Sequence, residues 1–200
     1  MTPVLILFAH PAFERSRVHR RLAEAVAELS GVTFHDLYQA YPDFDVDVRR
    51  EQELLAAHDV VVLQHPFYWY STPPLVKQWE DLVLEHGWAY GTGGTSLHGK
   101  RLLSAISAGG PQRAYCADGY NRFSVRQLLA PLEQTARLCG MEYLPPFVVF
   151  GTHGLEDERI RSAAAEYGRL IEALRDERVD LDRAREADCL PADVSTVLRA

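Results

Sequence analysis

A chain of 200 residues, 47% of them hydrophobic, can bury one sizeable core and is of single-domain length. Its net charge of −7 argues against a nucleic-acid surface, which would need a basic stripe. No apolar run approaches a membrane span, and the opening Met1-Thr2-Pro3 shows neither the charged start nor the cleavage site of a secretory signal.

The three cysteines, Cys116, Cys139 and Cys189, cannot all pair within the chain and form no C-x-x-C, which suits a reducing cytoplasm. Eight histidines are scattered without ligand spacing, so no metal is expected.

Apolar runs alternate with amphipathic stretches along the chain, the pattern of βαβ units and a mostly parallel sheet. Val4–Phe8 predicts a first strand buried on both faces. Ser16–Leu29 predicts a helix, with Val18, Leu22, Ala25, Val26 and Leu29 at helical spacing. Gly31 ends it, and Val32–Leu37 follows as a weaker, peripheral strand. Asp45 or Asp47 is positioned to cap a second helix through Leu54 and Leu55. Val60–Leu63 predicts the third strand and Pro74–Leu84 the third helix, with Pro74 in its first turn. A fourth strand at Arg101–Ser107 precedes a helix over Ser124–Cys139, which Pro131 should kink or divide. Phe147–Phe150 predicts the fifth strand, and Glu156–Leu174 a long closing helix.

Five strands alternating with five helices predict an α/β, doubly wound parallel sheet with helices on both faces. Right-handed crossovers leave several strand orders open, of which the flavodoxin-like 2-1-3-4-5 is the one expected. Residues 1–175 are read as the domain. The segment 176–200 is dense in both charges and interrupted by Pro191, and is expected as an appendage, either a short helix or a mobile tail.

In such a sheet, ligands bind in the crevice at the carboxyl ends of the strands. Phe67, Tyr68, Trp69 and Tyr70 lie just past the third strand, where a core would not use them, and suit a flat aromatic ligand such as a flavin. The first strand ends in Ala9-His10-Pro11, and the helix opening at Ser16 offers unpaired N–H groups and a positive dipole end to an anion. Ser16, Arg17, Val18 and His19 form that first turn. The fourth strand runs into Ser107-Ala108-Gly109-Gly110, whose glycines let backbone approach a ring closely. An ordinary helix cap and a plain turn would explain either loop alone, so the inference rests on three loops converging.

Tyr115, Tyr120 and Asn121, in the loop after Gly110, can bond a ring or substrate or simply face solvent. Trp88 and Tyr90, in the segment His86–Gly94, form an apolar surface suited to a partner or substrate. No G-x-G-x-x-G, Walker loop or G-x-S-x-G elbow is present.

Several segments together resemble the flavodoxin-like NAD(P)H:quinone oxidoreductase family. They are Ala9-His10-Pro11, Leu37-Tyr38, Tyr41-Pro42-Asp43-Phe44, Gln64-His65-Pro66 through Ser71, His86-Gly87-Trp88-Ala89-Tyr90, Leu97-His98-Gly99-Lys100 and Leu144-Pro145-Pro146. Within the family the chain is most similar to the ancillary proteins of glutathione-regulated potassium-efflux systems.

The resemblance implies FMN, with FAD as the alternative, and NAD(P)H as co-substrate for two-electron reduction of a quinone. It assigns His10 and Ser16 to His19 to the phosphate end of the flavin, Phe67 to Tyr70 to the ring, and Ser107 to Gly110 to its polar edge. It implies a homodimer in which Trp88 and Tyr90 reach the neighbour's site. Tyr115 matches a tyrosine that stabilises the reduced flavin in the larger reductases. The histidine that accompanies it falls at Asn121, which donates a hydrogen bond but is no acid near neutral pH. The alternative is a non-catalytic, flavin-binding regulatory subunit that activates a potassium-efflux transporter at the inner membrane face. A one-electron carrier is a third and weaker fit.

Overall fold

Val4–Phe8 forms strand β1, every residue of it buried, as an all-apolar strand requires when helices cover both faces. The computed structural model describes residues 1–190 and 192–199. Strands β2 (Val32–Asp36), β3 (Val60–Pro66) and β4 (Arg101–Ala108) join β1 in parallel. The fifth position is filled in two pieces, β5 (Glu142–Tyr143) and β6 (Phe147–Phe150), both parallel to β4. The order β2-β1-β3-β4-β5 is the flavodoxin-like one expected. The division of the fifth strand was not expected. Its cause is Pro145-Pro146, which have no N–H to give to the ladder.

Helices α1 (Arg17–Val26) and α7 (Asp157–Arg175) close one face, over a core with Val4, Ile6, Val62 and Leu103. Helices α3 (Val48–Ala57), α4 (Pro74–Val83) and α6 (Ala130–Leu138) close the other, over Leu5, Leu7, Leu63 and Ile106. The predicted fourth helix is divided at Leu129 into α5 (Val125–Leu128) and α6, with Pro131 in the first turn of α6, where its missing N–H costs nothing. Asp47 rather than Asp45 caps α3, accepting from Arg50 N–H at 3.1 Å.

Two boundaries differ from the sequence pattern for local reasons. β2 stops at Asp36, whose carboxylate accepts from Tyr38 and Gln39 N–H and starts a one-turn helix, α2 (Leu37–Ala40). β3 runs past Leu63 through Gln64, His65 and Pro66, all buried. Polar side chains hid this extension; Gln64 is accommodated because its Oε1 accepts from Tyr167 O–H at 2.8 Å.

One buried carboxylate ties several elements together. Glu51 of α3 has no exposed surface and accepts from His35 Nε2 (2.8 Å), Tyr41 O–H (2.5 Å) and Trp79 Nε1 (2.8 Å).

The segment after Asp176 contains a short helix, α8 (Leu181–Arg185), and packs Val179, Ala184, Leu190, Val194 and Val197 into the same core as α7. Leu190 N–H donates to Pro146 carbonyl at 2.9 Å, satisfying a backbone group that the proline break leaves without a strand partner. Pro191, expected to interrupt this segment, lies outside the described residues.

Candidate functional site

The strand order brings the carboxyl ends of β1, β3, β4 and β6 side by side. Between the loops that follow them lies an open crevice of about 530 Å³. Its walls come from His10 after β1, Ser16 and Val18 at the start of α1, Phe67 and Tyr68 after β3, and Ser107 and Gly109 at the end of β4. Thr152 and His153, after β6, complete it.

Ser16 caps α1, its Oγ accepting from His19 N–H at 3.1 Å. The helix has ten residues, and the rest of its first-turn N–H groups have no intrahelical acceptor. Arg17 turns away to bind Asp157 Oδ1 at 2.6 Å and the Leu155 carbonyl at 2.9 Å. Arg15 also lines the crevice and forms no ion pair among the described residues.

Burial disfavours the charged form of two histidines here, His10 and His19. His10 is 8% exposed; its Nδ1 accepts from Ala12 N–H at 3.1 Å, and burial lowers its pKa. His19 is fully buried behind the crevice wall, with Nε2 2.9 Å from Ser107 Oγ. Burial first, and then the neighbouring His10 and His65, hold its pKa well below the usual imidazole value. Its Nδ1 has no partner among the described residues. An unpartnered buried N–H is costlier than an unpartnered lone pair, so the proton sits on Nε2 and donates to Ser107. The Ser107 hydroxyl hydrogen is thereby free to point elsewhere. His19 thus supports the crevice wall through Ser107 and does not line it.

The aromatic loop is strained. Trp69 and Tyr70 have φ of 48° and 64°, in the left-handed region, within a tight turn closed by Ser71 N–H to the Tyr68 carbonyl at 2.9 Å. Two-residue hairpin turns of this kind favour Asn-Gly, and bulky side chains there cost energy that is commonly stored at functional sites. Trp69 is 93% exposed, so packing within the chain does not compensate. The variant Trp69→Asn/Tyr70→Gly is therefore expected to gain about 1–2 kcal/mol in urea unfolding. A loss of stability instead would mean that the two rings are held by contacts within the fold.

Gly109 and Gly110 each lie close to a neighbouring side chain. A β-carbon on Gly109 would lie 2.4 Å from His153 Nε2, and one on Gly110 3.2 Å from the Tyr115 ring. Ala108 is buried, and its carbonyl accepts from Thr152 N–H at 3.2 Å. Tyr115 packs behind this edge against Phe67 and Phe150, with ring centroids 6.2 and 5.7 Å away, and burial raises its phenol pKa. Asn121 Oδ1 accepts from Tyr70 O–H at 3.2 Å. Neither Tyr115 nor Asn121 is among the residues lining the crevice.

Trp88 and Tyr90 are also apart from it. Both are half-buried, and Tyr90 borders a second cavity of about 370 Å³ between α4 and α6, with Ser71, Lys77 and Glu80. Burial lifts the Glu80 carboxyl to about 7.

Sequence reasoning missed Arg15, Thr152 and His153. The signal for the last two was available: in a 2-1-3-4-5 order, the loop after the fifth strand must adjoin the end of the fourth.

Comparison with known proteins agrees with this geometry. Residues 2–171 match the family described as flavodoxin-like fold. The chain is 46% identical over 163 residues to the uncharacterized NAD(P)H oxidoreductase YdeQ of Bacillus subtilis (strain 168), covering 82% of this chain and 83% of that protein. Among solved structures, general stress protein 14 of Treponema denticola, in complex with FMN, superposes with a TM-score of 0.82 at 41% identity, covering 86% of this chain and 99% of that one. An NADPH-quinone reductase from P. pentosaceus does so with a TM-score of 0.74 at 34% identity, over 83% and 97% of the two chains. The chain therefore belongs to the flavodoxin-like family of NAD(P)H oxidoreductases and quinone reductases.

Proposed function

We propose that this protein binds FMN in the crevice and uses it to reduce quinones at the expense of NAD(P)H. The observation that carries the reading is the crevice itself, with a helix N-terminus at one end, an aromatic turn beside it and a glycine edge opposite. The fit to a flavin is supported by aromatic side chains, a helix N-terminus and a polar strand end lining one crevice.

In this reading the N–H groups of the first turn of α1, from Arg17 to His19, bind the phosphate with Ser16. Arg15 adds a cation, since the Arg17 guanidinium is committed to Asp157. His10 donates as a neutral imidazole. Phe67, Tyr68, Trp69 and Tyr70 flank the ring, and Ser107, Ala108, Gly109 and Gly110 meet its polar edge. Once bound, FMN supplies the two-electron chemistry between NAD(P)H and a quinone. The protein orients both substrates against it and limits water. Tyr115 and Asn121 act from behind the glycine edge, buttressing it. Trp88 and Tyr90, remote from the crevice of their own chain, are proposed to line the partner's crevice in a homodimer. FAD in place of FMN, and a potassium-efflux transporter as partner, rest on sequence likeness alone.

The test is the visible spectrum of the purified protein under anaerobic conditions, before and after NADPH or NADH. A flavin band that bleaches, and returns on adding a quinone, is the expected result. A band indifferent to both nucleotides would favour the regulatory subunit. Release of the flavin by heat and chromatography against FMN and FAD standards identifies the cofactor.

A further inference from the structure

Reducing a quinone to its hydroquinone forms two O–H bonds, while NAD(P)H brings two electrons and only one proton. A second proton must come from a group at the site or from water. Asn121, in the loop after Gly110, cannot supply it and already accepts from Tyr70 O–H.

We propose that His153 donates this proton, an assignment that rests on the reductase reading above. His153 sits in the loop after β6, is exposed, and lines the crevice. Its Nε2 edge packs directly over Gly109, where a β-carbon would come within 2.4 Å of it. The absence of a side chain at Gly109 is what lets the ring lie there.

The other imidazoles near the crevice are committed. His10 uses Nδ1 to accept from Ala12 N–H and is buried. His19 is fully buried and bonded to Ser107. The remaining charged groups around the crevice are Arg15, which does not titrate near neutrality, and Arg17, paired with Asp157 from the start of α7. Tyr115 stands behind Gly110 with its phenol pKa raised. Imidazole is the side chain suited to proton exchange, and of the two that line the crevice His10 is buried while His153 is exposed. In the step, a ring N–H bond of His153 breaks as one hydroquinone O–H forms, and the ring regains a proton from water.

The test uses FMN-loaded protein reduced with dithionite and mixed with a benzoquinone, so that it does not depend on NAD(P)H. His153→Ala and His153→Gln, compared with the wild type at saturating FMN, are expected to slow reoxidation by the quinone on the order of 100-fold. Added imidazole should restore part of the rate in His153→Ala. Variants that match the wild type in rate would overturn the proposal. So would a rate loss explained by weaker FMN binding and not rescued by imidazole.

A readout without turnover is the ¹⁵N signal of the His153 ring, expected to shift when FMN is added to the empty protein. An unmoved signal in protein that binds FMN would also overturn the assignment. Wild-type protein that dithionite reduces but NAD(P)H does not would instead defeat the NAD(P)H part of the parent reading and leave the His153 comparison readable.

Discussion

Glu51→Ala is expected to destabilise the fold by about 3–5 kcal/mol, the cost of removing one member of a buried ionic and hydrogen-bonded group. Three donors, His35 Nε2, Tyr41 O–H and Trp79 Nε1, would lose their acceptor at once, and all three side chains are buried away from solvent. Each unpaired buried donor costs about 1–3 kcal/mol, so the upper part of that range is reached without counting the cavity. These donors come from β2, the end of α2 and α4, so the loss loosens one whole face of the sheet. Glu51→Gln retains an acceptor oxygen and should cost less. Urea unfolding at neutral pH measures both.

The same carboxylate sets a pH dependence. Burial pushes the Glu51 pKa up, but the hydrogen bonds from His35, Tyr41 and Trp79 outweigh it, and the folded value lies below 4.5. A depressed folded pKa stabilises the native state above the unfolded value. That contribution is lost as pH falls below about 4.5 and through the folded pKa. Wild-type stability should therefore fall across this acid range, and Glu51→Gln should show less of the fall. An equal fall in both would place the acid sensitivity in other groups.

The second large effect is expected from Ser16→Asp. Aspartate and serine cap helices about equally well, so α1 and the fold should survive, with the introduced carboxylate accepting from His19 N–H as the Ser16 hydroxyl does. A negative charge beside a helix N-terminus is itself favourable, by roughly 0.3–1 kcal/mol. For a phosphate bound at the same turn the sign reverses. Two like unit charges about 4 Å apart repel by about 4 kcal/mol at the effective dielectric of a protein surface. After relaxation, FMN affinity should drop on the order of 100-fold, about 2.7 kcal/mol. Riboflavin, which lacks the phosphate, should bind as it does to the wild type. Titration by flavin fluorescence quenching measures both ligands, and an unchanged FMN affinity would move the phosphate away from α1.

Much of the framework could be read along the chain because its causes are short in range. A continuous apolar run such as Val4–Phe8 can only be a strand covered on both sides. Pro131 must break or restart a helix wherever the fold places it. The aromatic turn and the glycine pair could be placed at the crevice because they follow strands whose ends a doubly wound sheet aligns. The extension of β3 through Gln64 and His65 was not legible, since polar residues in a strand look like its end unless their partners are known.

What the amino-acid order determined by itself was the set of strands and helices, the doubly wound class and the edge of the sheet at which the crevice lies. Only the tertiary structure decided which side chains face that site. Ser107 and His19 meet across 88 positions of sequence, and Tyr167 and Gln64 across 103. Such contacts bury His19, commit Arg17 to Asp157, open the space over Gly109 to His153 and send Tyr90 to another cavity. Hydrogen-bonding and rotamer preferences act over a few residues and specify elements. Side-chain direction at a shared crevice is settled by packing between elements, and that depends on residues a local reading cannot pair.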